Sequence, residues 1–232
     1  MLTRRNLLLA IAAAMMPVKL MASVGRQESI SWSEFYNRMM ALANADAMHQ
    51  IKRAEVADLG MRYLKQLDIH SSTYKAKFKV AVEGAYESGN RYWLWQRLIK
   101  DKNINGGILN INNSQLVQLH DHPGAIGMVR IISGEVEVWQ FDEVMSSESN
   151  KISQLTRLSH KVLRVGDTAI LTPTKGNIHA LKAVTKDCRM LDFFIPPYES
   201  SQRYWFEPLA EDWFDREQIS CRKIPQYAYE KA

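Results

Sequence analysis

The sequence predicts a mainly β protein, a sandwich or barrel carrying an N-terminal helical segment. From Arg91 onward the chain runs in short β-branched or aromatic stretches: YWLWQRLI, GGILNI, QLVQLHDH, GMVRIISGEVEVWQF, KVLRVGDTAILT, HALKAV and CRMLDFFI. Gly, Asn, Asp or Ser clusters separate them, as turns separate strands. Residues 31 to 89 differ, being rich in Ala, Met, Glu, Lys and Arg with apolar residues at helical spacing. With 232 residues, 46% hydrophobic and 24% charged, the chain can bury one sizeable core, which excludes a mainly disordered protein.

The helical segment is expected to hold two or three helices, with Phe35, Met39 and Leu42 on one apolar stripe and Val56, Leu59, Tyr63 and Leu67 on another. Ser31 followed by Glu34 predicts a capping box, and residues 68 to 72 predict a break. His49 and His70 read as surface residues. With no proline-rich linker in between, the helices are expected to pack on the β domain; the expected boundaries are 1–23, 24–90 and 91–232.

Residues 1–23 have the zones of an export signal: Arg4 and Arg5, the ten-residue apolar run Leu7 to Met16, and a short segment ending in Ala22 and Ser23. The Thr3-Arg4-Arg5-Asn6-Leu7-Leu8 stretch resembles the twin-arginine signal, which implies that export machinery as a partner and a bacterial periplasmic location. The alternative is an uncleaved signal anchoring the protein to the inner membrane. Ten apolar residues fall short of the roughly 20 a spanning helix needs, so a polytopic membrane protein is excluded. Removing this basic, acid-free segment lowers the formal charge from +5 to +2, which gives no electrostatic case for nucleic acid. Two cysteines, Cys188 and Cys221, exclude a disulfide scaffold and a four-cysteine zinc site and leave one disulfide open.

Chemistry concentrates at His120 and His122, two apart in a predicted strand and therefore on one face, which Leu116 and Gln118 are expected to share. The pair can aim into a barrel and meet a third ligand, for which His179 is the candidate. His179 begins a strand after the turns at Gly166-Asp167 and 173–176. His160 is expected in a surface turn, and Trp93, Trp95 and Trp139 in core or barrel-face positions.

The two histidine segments resemble the two cupin motifs: His120-x-His122 with Gly134 in the first, Gly166, Pro173, Gly176 and His179 in the second. The resemblance implies a cupin double-stranded β-barrel, jelly-roll-like. LHDHPG, Gly127-Met128 and LDFFIPPY narrow it to the thiol dioxygenases of the cysteamine dioxygenase and plant cysteine oxidase type, over roughly residues 90 to 210. That family implies iron(II) on His120, His122 and His179, no organic cofactor, and dioxygen plus a small thiol or an N-terminal cysteine peptide as reactants. Many cupins place a glutamate four or five residues after the second histidine, but Ile126 and Gly127 stand there. A neutral three-histidine face leaves the metal charge for an anionic thiolate and leaves room for dioxygen. The implied product is a sulfinic acid.

The resemblance also places Asp192 near the thiol, where it could meet a substrate amine, and gives Tyr198 a hydroxyl directed at the iron site. Each has a structural alternative: Asp192 as a carboxylate bonded to backbone or to a ligand histidine, Tyr198 as packing at the barrel mouth. Some relatives crosslink a nearby cysteine to such a tyrosine; Pro196 stands two before Tyr198, so that modification is not implied. The three ligands do not select a substrate by themselves. A cupin enzyme acting on a non-thiol and a non-catalytic metal- or ligand-binding cupin are the alternatives.

Overall fold

The computed structural model describes residues 28–76, 78–79, 93–112, 114–147, 151–198 and 200–229; the expected export signal lies outside them. Two helices open the described chain, α1 (Trp32–Ala47) and α2 (Arg53–Gln66), and residues 72–76 and 78–79 are helical again. Ser31 caps α1, its Oγ accepting from the Glu34 amide at 3.2 Å. The box is half made, because the Glu34 carboxylate turns to Arg38 at 2.5 Å instead. His49 and His70 are exposed, as expected.

Eleven strands are described: β1 (Trp93–Lys100), β2 (Asn105–Ile111), β3 (Leu116–His120), β4 (Ile126–Ser133), β5 (Val136–Ser147), β6 (Ile152–Leu163), β7 (Thr168–Leu171), β8 (Ile178–Ala183), β9 (Cys188–Ile195), β10 (Tyr204–Pro208) and β11 (Gln218–Pro225). A four-residue helix, α3 (Gln226–Tyr229), follows. All the pairings among these strands are antiparallel. One sheet has the order β1-β2-β9-β4-β7, and the other strands close into a barrel, β10-β11-β6-β5-β8-β3, sealed where Trp205 pairs with His120. The architecture is the expected one, a mainly β cupin-type fold with an N-terminal helical segment.

The helices cover the outer face of the five-stranded sheet. Phe35, Met39, Leu42, Val56 and Leu64 share one core with Ile108, Ile126, Met128, Leu191 and Phe193 of β2, β4 and β9. Phe35 meets Phe193 edge-on at 5.2 Å, and Arg130 of β4 donates to the Leu64 and Leu67 carbonyls at 2.8 and 2.7 Å, satisfying the end of α2. Among the described residues no helix is long and apolar enough to cross a membrane.

Alternation along the barrel strands separates a second core from the site. Leu119, Trp139, Phe141, Ile178 and Ala180 fill the six-stranded barrel, while Val117, His120, Val138, His179 and Leu181 face the other sheet. The histidines therefore point not into this closed barrel but into the space between the two sheets. His160 lies inside β6 rather than in a turn; it is exposed, stacks on Trp139 at 4.9 Å and meets Glu137 at 2.7 Å. Cys188 and Cys221 are both buried free thiols in different sheets, β9 and β11.

Candidate metal centre

Two strands and a turn bring the three histidines together. His120 ends β3 opposite His179 of β8, and His122 stands two residues further, entering the turn at Pro123 and Gly124. Strict alternation predicts Leu116 and Gln118 beside His120, but Val117 lines the cavity and Gln118 is exposed. The β3–β8 register shifts between Val117 and His120, and this bulge re-aims the strand end so that His120 enters the cavity while Leu119 joins the barrel core.

The turn before His179 is built around Gly176, whose φ of +64° suits a residue without Cβ. A Cβ there would meet the Gln140 amide at 2.9 Å, and the Gly176 N–H donates to Asp142 at 2.6 Å. The next residue, Asn177, ties two of the histidines to one scaffold. Its Oδ1 accepts from the His122 amide at 2.8 Å, its Nδ2 donates to the His122 carbonyl at 3.2 Å, and its own carbonyl accepts from His179 Nδ1 at 2.9 Å. His120 Nδ1 likewise donates to the Gln118 carbonyl at 2.7 Å. These bonds fix the Nδ1-protonated tautomer of His120 and His179 and leave Nε2 as the ligand atom.

Ring centroids lie 4.4 to 5.1 Å apart, and the three ligand atoms lie within 4.8 Å of one another. Burial pushes all three imidazoles toward the neutral form, His120 and His122 well below the usual value and His179 to about 4. Neutral imidazoles are the ligating form, and three of them suit iron, zinc, copper or nickel. The residues present fit a metal. Gly127, at one of the positions where many cupins carry a glutamate, lines the cavity against Leu171, which a Cβ would approach to 2.7 Å. Ile126 is buried in the core under the helices.

The cavity, of about 330 Å³, also takes in Asp192, Tyr198 and Trp95. Asp192, paired in register with Gly107 and Val129, has its carboxyl pushed up to about 7 by burial. The Trp95 indole N–H and Arg203 oppose that rise, although Trp95 Nε1 reaches no acceptor at full hydrogen-bond geometry. Tyr198 meets His122 edge-on at 4.4 Å, and its hydroxyl accepts from Arg203 Nη2. Arg203 and Asn177 are the site residues that the sequence does not single out.

The raised Asp192 pKa makes a stability prediction for the metal-free protein. A carboxyl whose folded pKa lies above its ordinary 3.8 costs nothing when protonated in both states, below pH ~4. The cost grows as pH rises and levels off above about 7, where moving the pKa from 3.8 to about 7 corresponds to ~4 kcal/mol. Asp192→Asn, neutral throughout, is expected to be more stable than wild type at pH 8, with the gain shrinking toward pH 4. Denaturant unfolding across that range checks it; a pH-independent difference contradicts it.

Residues 60–221 match the family model described as PCO_ADO. The chain is 25% identical over 113 residues to a protein named 2-aminoethanethiol dioxygenase of Mus musculus, covering 40% of this chain and 44% of that one. The Homo sapiens protein of that name is 25% identical over 115 residues, covering 40% and 43%. The chain thus matches less than half the length of these curated relatives. A solved double-stranded β-helix protein from Klebsiella pneumoniae is 17% identical, with a TM-score of 0.36 over 47% of this chain and 80% of that one. Because the family model spans more than two thirds of the chain and includes all three histidines, Asp192 and Tyr198, this protein belongs to the PCO_ADO family.

Proposed function

We propose that the protein is an iron(II)-dependent thiol dioxygenase that oxidises a small aminothiol, cysteamine- or cysteine-like, or an N-terminal cysteine, to its sulfinic acid. The observation that carries this reading is the donor set: three buried, neutral histidines with no acid in the group among the described residues. Held by His120, His122 and His179, iron(II) would acidify a bound thiol and supply the electron-transfer chemistry that dioxygen requires. The overall change is R–SH + O2 → R–SO2H: the O–O bond breaks, two S–O bonds form, and sulfur gives up the four electrons that dioxygen accepts. Val117, Val129 and Leu181 supply apolar wall that excludes water, Asp192 offers a carboxyl to a substrate amine, and Tyr198 holds a phenolic proton.

The test incubates the iron-loaded full chain with cysteamine, cysteine, 3-mercaptopropionate and a Cys-starting peptide while following dioxygen uptake and product mass. The expected result is one preferred thiol, consumed with equimolar dioxygen and recovered as its sulfinate. Dioxygen uptake indifferent to every thiol favours a non-thiol cupin reaction, and metal binding without any uptake favours a binding protein.

We further propose a periplasmic location after twin-arginine export, resting on Arg4, Arg5 and the apolar run that follows. That machinery reads the arginine pair rather than its charge, so the Arg4→Lys, Arg5→Lys double variant is expected to stay in the cytoplasm. Fractionation checks this; undiminished periplasmic protein would contradict it.

A further inference from the structure

The turn that carries His122 is held from two sides. Residues 122–125 close on themselves, the Ala125 amide donating to the His122 carbonyl at 3.2 Å, and Pro123 followed by Gly124 at φ +71° is the pairing a type II turn favours. On the barrel side Asn177 bonds both backbone groups of His122. From the helical segment Arg53, the first residue of α2, donates Nη2 to the Gly124 carbonyl at 2.7 Å. Its Nη1 donates to Asp46, in the last turn of α1, at 2.6 Å. The Asp46 side chain is only 8% exposed, and a buried carboxylate that grips one nitrogen of a planar guanidinium fixes the direction of the other. A Cβ built on Gly124 would meet nothing within 4 Å, so at that residue the tether is a hydrogen bond rather than packing.

Of the three histidines, His122 has the greatest need of such a tether. His120 ends β3 and His179 lies in β8, and each has Nδ1 on a backbone carbonyl two residues away. His122 stands past the end of β3, and its Nδ1 meets the Arg203 side chain at 3.3 Å instead of a carbonyl. The direction of its ring is therefore inherited from the backbone of the turn, whereas the other two are aimed by the strand ladder as well. Three imidazoles hold one ion only while all three ligand nitrogens converge, so slack in this turn falls on one metal bond out of three. Asp46 and Arg53 both stand ahead of residues 60–221, and family membership assigns them no role.

We propose that Arg53, aligned by Asp46, is a positioning residue for the metal centre: by holding the Gly124 carbonyl it fixes the turn that aims His122, which makes the α1–α2 junction a working part of the site. This rests on the reading of His120, His122 and His179 as metal ligands and deepens it. Partners that orient a ligand directly are worth about 10- to 100-fold in metal affinity. Arg53 acts two residues from His122 and is 40% exposed, so the expected effect is smaller, about three- to tenfold.

The test titrates the metal-free full chain with cobalt(II), reading affinity and the ligand-field spectrum, then measures loss of cobalt to a chelator; denaturant unfolding of the metal-free protein is followed separately. Arg53→Gln is expected to weaken cobalt binding about three- to tenfold, to speed its loss, and to change the ligand-field bands. Arg53→Lys keeps the charge but not the fork that serves two acceptors, and is expected to fall between. Asp46→Asn should act in the same direction, and the double variant should lose no more than Arg53→Gln alone, because both changes act through one guanidinium. Arg38→Gln is the control: it breaks the Arg38–Glu34 pair of α1, which does not touch the turn, and is expected to leave cobalt affinity unchanged. Affinity measured on folded protein does not report a mere loss of global stability. Arg53→Gln that unfolds more easily yet binds cobalt with wild-type affinity and spectrum overturns the proposal, and so does an equal loss of affinity in Arg38→Gln. Both outcomes leave the three ligands intact, whereas wild type that binds no cobalt overturns the metal reading with it. Should Arg53→Gln fail to fold, Arg53→Lys and Asp46→Asn decide by the same criteria.

Discussion

His179→Ala is expected to empty the metal site, reducing metal retained after iron(II) loading and buffer exchange from near one equivalent to about a tenth or less. His179 supplies one of three nitrogens, and the three-histidine group contains no fourth His, Cys, Asp or Glu among the described residues. Of the two positions where many cupins carry a glutamate, Ile126 is buried in the core under the helices and Gly127 packs against Leu171, so the site has no substitute ligand there. The side chain is removed from the wall of an existing cavity rather than from a packed core, so folding should survive. Thermal unfolding separates the two effects: wild type gains stability when metal is added, because a ligand of the native state stabilises it by mass action, and the variant does not. His120→Ala and His122→Ala are expected to behave alike. A purified His179→Ala protein that keeps a full equivalent of iron with unchanged affinity would show that the ligand assignment is wrong.

That the three histidines meet was legible because it rests on local spacing and turn chemistry. His120 and His122 share a side at a separation of two, and the turn at Gly176 delivers His179 to the strand paired with β3. What was not legible depends on partners distant in sequence. The bulge that puts Val117 rather than Gln118 beside His120 comes from the pairing with β8, some 60 residues on, and leaves no trace in the alternation of β3 itself. Strands β10 and β11 and all of β6 before Lys161 were missed because their polar residues face out along edges that only the closed barrel satisfies. Asn177 does its work through its side-chain amide on the backbone of His122, 55 residues away. Arg203 sits in the polar run SSQRYW with no motif around it, and only the approach of β10 to β3 carries it to the histidines.

Tyr198→Phe is expected to lower turnover about ten- to a thousand-fold, the range for losing one positioned donor, while iron content stays at the wild-type level. The ring packs edge-on against His122 at 4.4 Å and Phe194 at 5.0 Å, and phenylalanine keeps both contacts. What it loses is one oxygen. Burial, the largest cause, holds the phenol pKa up at about 12, so at neutral pH the hydroxyl is protonated. It already accepts from Arg203 and has its own hydrogen left to donate. Donation toward the oxygen or sulfur side of the reaction stabilises charge that develops only in the transition state, so the loss should fall on kcat rather than on metal affinity. Dioxygen consumption with the best thiol, on iron-matched wild type and Tyr198→Phe, decides it: reduced turnover assigns the proton of Tyr198 to the reaction, and equal turnover leaves its ring as packing against His122 and Phe194.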